Sequence, residues 1–315
     1  VKPLPSIQTM NVETNQLDPI IVNQQFCRFV LEKKGILDVG STFTFSVHPV
    51  QDGDGKCFLP IKTGIHALIK RAVLKVGTKV LATSDDYAFY QTIKRAFKTN
   101  EEKSQKDLVK IGSCDAFEPD NQGDGQYQLK QVVYSDATTS KADPSIELKT
   151  SQTDCPVFSI KLSELFPMMR NIQLPLYLIN DHVSVELTFN QQPNGTTGVI
   201  ALFEDGYAND TSISVGTQNV KFLADYLTYE SERMDATAKM VMSANGLSMP
   251  YEDLVLTSSN IPALANVPAG GTFTAQSVTR DLGLSGRNVR SILVHDHADG
   301  TNALLGQYSA EAYNK

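Results

Sequence analysis

VFSIKLSELFPMMRNIQLPLYLINDHVSVELTFN, from Val157 to Asn190, decides how the chain is read, because it joins two strand-like segments through a short helical insert. Near its end Val183, Val185, Leu187 and Phe189 point one way while His182, Ser184, Glu186, Thr188 and Asn190 point the other, the two-residue period of a half-buried strand. Burying those apolar side chains contributes on the order of 6 to 12 kcal/mol, an upper figure because an unfolded chain is already partly compact. Pro175 and the Asn180-Asp181 pair stop the preceding apolar run from continuing as a helix, so the chain crosses over and re-enters a sheet. One sheet face is thereby fixed.

Further strands lie on both sides of this stretch. Cys27, Phe29 and Leu31 alternate around Arg28, and Phe43, Phe45 and Val47 alternate with Thr42, Thr44 and Ser46, so both segments read as strands of a sandwich. After the QDGDG turn at 51–55, an apolar stretch through Ile65, Leu68 and Ile69 leads into a strand from Ala72 to Val76. Ser84-Asp85-Asp86 offers capping oxygens and negative charge to a helix start, and Phe89, Ile93 and Phe97 then recur every four residues, predicting a helix from Asp86 to Lys98. From Thr99 to Cys155 the composition turns polar, with a strand signal only at Gln128 to Tyr134, which reads as a long surface excursion. Val220 to Tyr229 is apolar on both parities and predicts a strand covered on two sides. ERMDATAKMVM, Glu232 to Met242, predicts a connecting helix closed at Asn245-Gly246. Thr272 to Thr279 and Val289 to His295 are strand candidates of a second β unit, and the polar segment through Pro19 reads as an extended arm. Neither a fixed-period repeat nor a low-complexity tract appears.

With 315 residues the chain buries roughly three quarters of its unfolded surface, and its length suggests about two domains. A net charge of −7 with 20% charged residues leaves no basic excess for a phosphate backbone, so no sequence-specific nucleic-acid reader is expected. Cys27, Cys57, Cys114 and Cys155 are scattered without a CxxC pair and read as free structural thiols. No membrane span is expected, and VKPLPSIQTM lacks the features of a signal peptide, which places synthesis in the cytoplasm. The glycosylation-type triplets at Asn194 and Asn209 lose force accordingly.

The motifs that bear chemistry are few. His295-Asp296-His297-Ala298-Asp299 holds metal-ligand side chains, and strand alternation puts His295 and His297 on one side, but a polar strand end entering a turn is the favoured reading. Asp52 with Asp54, and Asp120 with Asp124, imitate calcium loops without completing them, since the twelfth position of the second is Gln131. His48, His66 and His182 are isolated and read as structural. There is no GxSxG, HExxH, P-loop or GxGxxG arrangement, and Ser285 lacks the elbow spacing. Glu101-Glu102 and Glu230 with Glu232 are sequence neighbours on a polar surface, whereas glycoside hydrolysis needs two carboxylates facing across a cleft. The sequence therefore designates no catalytic, cofactor or metal residues, and no cofactor.

FSIKLSELFPMM at 158–169, QLPLYLINDHVSVELTF at 173–189, DYAFYQTIKRAF at 86–97 and SMPYEDL at 248–254 occur in an order of elements that resembles the major capsid proteins of double-jelly-roll DNA viruses. Virophages, polinton-like viruses and nucleocytoplasmic large DNA viruses carry such proteins, and NALLGQYSAEAY at 302–313 looks like an early part of a second barrel. The resemblance implies an all-β jelly-roll sandwich with short helices and long loop insertions. Residues 1–231 would be the arm and first jelly roll, 232–271 a connecting helix and linker, and 272–315 the start of a second jelly roll. Too little chain follows Gly271 to complete that barrel, so a fragment of a longer capsid protein is expected, with a naturally shortened relative as the alternative. Function is implied to be structural: a homotrimer forming pseudo-hexagonal capsomers of an icosahedral virion, with neighbouring capsomers, penton and minor capsid proteins as partners. The alternatives are a minor capsid or spike-type sandwich binding a glycan or cell-surface partner and, more weakly, a jelly-roll hydrolase.

Overall fold

The computed structural model describes residues 10–23, 25–46, 64–99, 108–111, 157–190 and 220–243, with shorter stretches at 48–50, 57–58, 118–119, 127–128, 132–134, 212–214, 246, 251–257, 279, 281–283 and 288–292. Its long strands are β1 (Met10–Leu17), β2 (Phe26–Val30), β3 (Thr42–Ser46), β4 (Ile69–Val76), β5 (Lys79–Ser84), β6 (Val157–Lys161), β7 (Val183–Phe189) and β8 (Val220–Tyr229). They form two antiparallel sheets. One runs β1-β8-β3-β6, with Ile36–Leu37 also paired to β8, and the other runs from Ile21–Val22 through β2-β7-β4-β5. Apart from the β4–β5 hairpin, successive long strands lie in opposite sheets, the double Greek-key order. The fold is a jelly roll.

The central stretch sets the register. Val185 lies opposite Phe29 on one side and Leu74 on the other, Leu187 opposite Cys27 and Ala72, and Val183, Val185, Leu187 and Phe189 are all buried as their alternation requires. Glu186, on the outer face, accepts from Lys75 Nζ at 2.5 Å and lies 3.7 Å from Arg28 Nε, so a one-residue slip would bury this carboxylate and expose the apolar set. From the facing sheet come Phe43, Phe45, Phe158, Ile160, Val220, Phe222 and Ala224. Phe43 stacks on Phe222 at 4.3 Å between ring centroids and meets Phe29 of the opposite sheet edge-on at 5.4 Å. Aromatic rings thus bridge the space between the sheets.

Several expectations are corrected. The polar arm is a strand over its second half: all of Met10–Leu17 pairs with β8. Hydrophobic alternation misses it because only Asn15 and Leu17 are half-buried, and Asn15 and the exposed Glu13 close the sandwich edge by polar contacts. Asn15 Nδ2 donates to Glu32 at 2.7 Å, and Lys34 Nζ reaches Glu13 at 2.7 Å and Glu32 at 3.1 Å beneath the Tyr226 ring. β8 itself alternates, with Val220, Phe222, Ala224 and Tyr226 buried and the residues between them half-buried, so its second face is only partly covered. β5 and the Ile36–Leu37 strand carry no pattern strong enough to be read from sequence.

Helix α1 (Tyr87–Ala96) forms where expected, but it presents a different face. Tyr87, Ala88, Gln91 and Arg95 are buried, whereas Phe89 and Ile93 are half-buried and Phe97 is 74% exposed. Residues two apart on a helix point about 200° apart, so the apolar recurrence marks the outer side. Its start differs too: Asp86 is left-handed (φ 44°, ψ 46°) and makes no side-chain capping bond, while Asp85 pairs with Arg71 at 2.7 Å. Helix α4 (Ser231–Met242) ends at Ser243, earlier than Asn245-Gly246, and none of its residues is buried. The Tyr177 hydroxyl donates to its Met234 carbonyl at 3.1 Å and Arg233 lies 3.8 Å over the Tyr229 ring.

The excursion between β5 and β6 is not wholly peripheral, since a turn of helix α2 (Leu108–Ile111) drives Ile111 into the core. Its strand expectation resolves into two short pieces, Tyr127–Gln128 and Val132–Tyr134. Beyond α4, residues 251–257 and 288–292 have no regular structure, so Val289–Ile292 is not a strand; the rest of that candidate lies outside the described residues, and of Thr272 to Thr279 only Thr279 is described.

Candidate functional site

In this strand order the β1–β2, β3–β4, β5–β6 and β7–β8 connections leave from one end of the sandwich. Three of them are long and are stitched together. His48–Val50 of the β3–β4 connection pairs with Ser212–Ser214 of the β7–β8 connection, and Cys57–Phe58 pairs with Val132–Tyr134 of the β5–β6 connection. Within the last, Glu118–Pro119 pairs with Tyr127–Gln128. The opposite end is tight by comparison: Gly77 (φ +56°) turns β4 into β5 and donates its N–H to the His182 carbonyl at 2.9 Å.

The flank between the edge strands β5 and β6 is covered by helices. A 3-10 turn at Gly64–Leu68 leads into β4, α1 packs on that turn and on β4, and α2 packs against β6. Helix α3 (Leu162–Leu165) follows β6 directly, and its Glu164 carboxylate accepts the Lys161 N–H at 3.0 Å. Where these pieces meet lies a polar cluster. His66 Nδ1 sits 2.8 Å from the Tyr87 hydroxyl, with both side chains buried. Gln91 Nε2 donates to the Glu164 carbonyl at 2.9 Å, Lys110 Nζ to the Glu164 carboxylate at 2.7 Å, and Arg170 to the Tyr90 hydroxyl at 3.3 Å.

Burial dominates the electrostatics here. It pushes the His66 imidazole down to about 4 and the Tyr87 hydroxyl well above its ordinary range, so at neutral pH both are uncharged and share one hydrogen bond. Burial likewise lowers the Lys94 ammonium to about 8, aided by the nearby Arg170 charge. For Glu164 burial acts upward, but the charge His66 carries once protonated, the Lys110 ammonium and the Lys161 N–H outweigh it and hold the carboxyl below its usual range. A neutral, hydrogen-bonded pair at 4% and 0% exposure is inaccessible to a substrate. Chemically, the cluster holds α1, α2 and α3 to one another and to the sandwich.

His66 is thus buried and bonded rather than isolated, and its bond to Tyr87 leaves no local sequence signal because the two are 21 residues apart. His182 is exposed at the tight end, and Cys27 is a buried free thiol whose pKa burial pushes up. Glu230 and Glu232 lie at the first turn of α4. Asp52, Asp54, Glu101, Glu102, Cys114, Asp120, Asp124, Cys155, Ser285, His295, Asp296, His297 and Asp299 fall outside the described residues, as do the side chains of His48 and Cys57. Among the described residues no group of three or more metal-ligand side chains converges, and no helix is long and apolar enough to cross a membrane.

No family model matches the chain, and no curated protein matches it. Solved structures do. A quasi-atomic model of the PBCV-1 virus capsid is 12% identical with a TM-score of 0.42, over 76% of this chain and 47% of that one. PBCV-1 VP54, fitted into a reconstruction of the virophage Sputnik, is 11% identical with a TM-score of 0.40 over 76% and 47%. The Faustovirus major capsid protein is 11% identical with a TM-score of 0.43 over 76% and 58%. What the chain is similar to is a viral capsid protein. It spans about half the length of these solved proteins, and the jelly roll itself is read from its own strand order.

Proposed function

We propose that this protein is a structural subunit of a DNA-virus shell, a major capsid protein whose work is self-assembly. The observation that carries the reading is the jelly roll with its interior filled and one end elaborated: Phe29, Phe43 and Phe222 close the space between the sheets, and three long connections are cross-paired at one end. Jelly rolls also serve as ligand-binding barrels, and those need an open mouth leading to convergent polar groups. A packed interior with elaborate end loops suits a tile, which acts through its outside. The resemblance of the 86–97, 158–169, 173–189 and 248–254 segments to double-jelly-roll capsid proteins points the same way.

In this reading 1–231 is the first jelly roll with its arm, 232–271 the link, and 272–315 the opening of a second jelly roll. Exposed Met240, Val241, Met242, Tyr251, Val255, Leu256, Val289 and Ile292 along the described part of that link and beyond are then surfaces that the completed second barrel or a neighbouring subunit covers. Two sandwiches per chain repeated about a threefold axis give six similar sides, so the complete protein forms a homotrimer that tiles as a pseudo-hexagon in the virion. Neighbouring capsomers, penton and minor capsid proteins are its partners, and no catalytic residue is required. Size-exclusion chromatography with light scattering on the full-length protein tests this. A trimer supports the reading, and a stable monomer at micromolar concentration overturns it in favour of a sandwich that binds a glycan or cell-surface partner through its end loops.

A further inference from the structure

We propose that His66 is the latch of an acid-operated opening: its protonation releases α1, and with it the start of the β5–β6 connection, from the flank of the sandwich. The latch sits where the movable and fixed parts meet. His66 belongs to the 3-10 turn that runs straight into β4, a central strand of its sheet, while Tyr87 is the first residue of α1, and their side chains meet at 2.8 Å with no exposure on the helix side. Tyr87, Gln91 and Arg95 recur every four residues on the buried side of α1, beside Ala88, so polar groups form part of the face that seats the helix. A helix held this way depends on the protonation state of its partners far more than one seated on leucines.

The charges around the imidazole set the direction of the response. Glu164 of α3 favours the imidazolium, while Lys110 of α2 and Lys94 and Lys98 of α1 disfavour it, and burial, the largest influence, disfavours it too. Lys110 already occupies the Glu164 carboxylate at 2.7 Å. A proton on His66 therefore places a charge in a fully buried contact that three nearby lysines already disfavour. With the imidazole at about 4 when closed and at its ordinary 6.5 when open, the closed state is fully favoured above pH 6.5 and loses that advantage as pH falls towards 4. The opening equilibrium grows about twentyfold from pH 7 to pH 5 and about a hundredfold by pH 4.

Hydrogen exchange of the full chain tests this, with the α1 amides measured relative to the β7 amides at each pH so that intrinsic exchange and general acid effects cancel. The wild type should lose relative protection in α1 by those factors. His66→Gln keeps a hydrogen-bond partner for Tyr87 without a titrating proton, and its relative protection should stay flat from pH 7 to pH 4. A wild-type ratio that does not change over this range overturns the latch, and so does a His66→Gln profile that matches the wild type. Should His66→Gln not fold, the His66 ring is titrated by NMR in the wild type: a midpoint that coincides with loss of α1 protection supports the latch, and a midpoint near 6.5 with α1 still protected overturns it. Capsid assembly plays no part in these readouts, so this inference and the trimer fail separately.

Discussion

Replacing Phe43 by alanine removes the ring that joins the two sheets, and its cost follows from the packing. Phe43 is fully buried, stacks on Phe222 at 4.3 Å within its own sheet and meets Phe29 across the interior at 5.4 Å. Truncating a buried phenylalanine costs about 3 to 5 kcal/mol, from lost transfer energy and the cavity left behind. Each favourable ring pair adds about 0.5 to 1.5 kcal/mol beyond burial, so Phe43→Ala belongs at the upper end of that range. Against a total stability of about 5 to 15 kcal/mol, this moves the urea midpoint far down at unchanged slope, or leaves too little folded protein to measure. The sharper readout is a double-mutant cycle with Phe29→Ala in the chain carrying all other residues. Coupling of about 0.5 to 1.5 kcal/mol is expected because the rings touch across the sheets. Additive losses within about 0.3 kcal/mol, or a Phe43→Ala cost below about 1 kcal/mol, would refute the assignment of Phe43 and Phe29 to facing inner surfaces.

Other perturbations address the remaining parts of the fold. Val185→Asp places an unpaired charge at a fully buried position between Phe29 and Leu74, so soluble yield should collapse; normal yield and melting would contradict the β7 register. Gly35→Ala should cost more than Gly77→Ala in thermal melts. Both positions have φ +56°, but a Cβ on Gly35 would lie 2.7 Å from the Leu227 carbonyl oxygen, and one on Gly77 would meet the Asp181 side chain at 3.0 Å, which moves aside more readily. Glu186→Gln should lower stability by about 1 kcal/mol at low salt and by less at high salt, because Glu186 faces Lys75 and Arg28 on the outer surface. Amides of α4, which buries none of its residues, should exchange well before those of β7, and equal protection would show that α4 packs against a surface of its own.

What could be read from the sequence follows where side-chain periodicity and packing agree. β7 was legible because its apolar set faces the core and Glu186 faces Lys75 and Arg28. β1 was not, because backbone pairing to β8 and the hydrogen bonds of Glu13 and Asn15 hold it rather than apolar burial. On α1 the apolar period was real but marked the wrong side, since Tyr87 and Gln91 seat the helix by hydrogen bonds that no hydrophobic template scores, with Ala88 and Arg95 buried on the same side. The cluster around His66 draws on residues from Gly64–Leu68 to Arg170, and such long-range meetings leave no local trace.

Electron microscopy of the purified full-length protein puts the capsid assignment to its most direct test. Class averages should show threefold particles with a six-sided outline, built from upright sandwiches whose long connections project from one end. Single-lobed monomeric particles with no threefold class would contradict it.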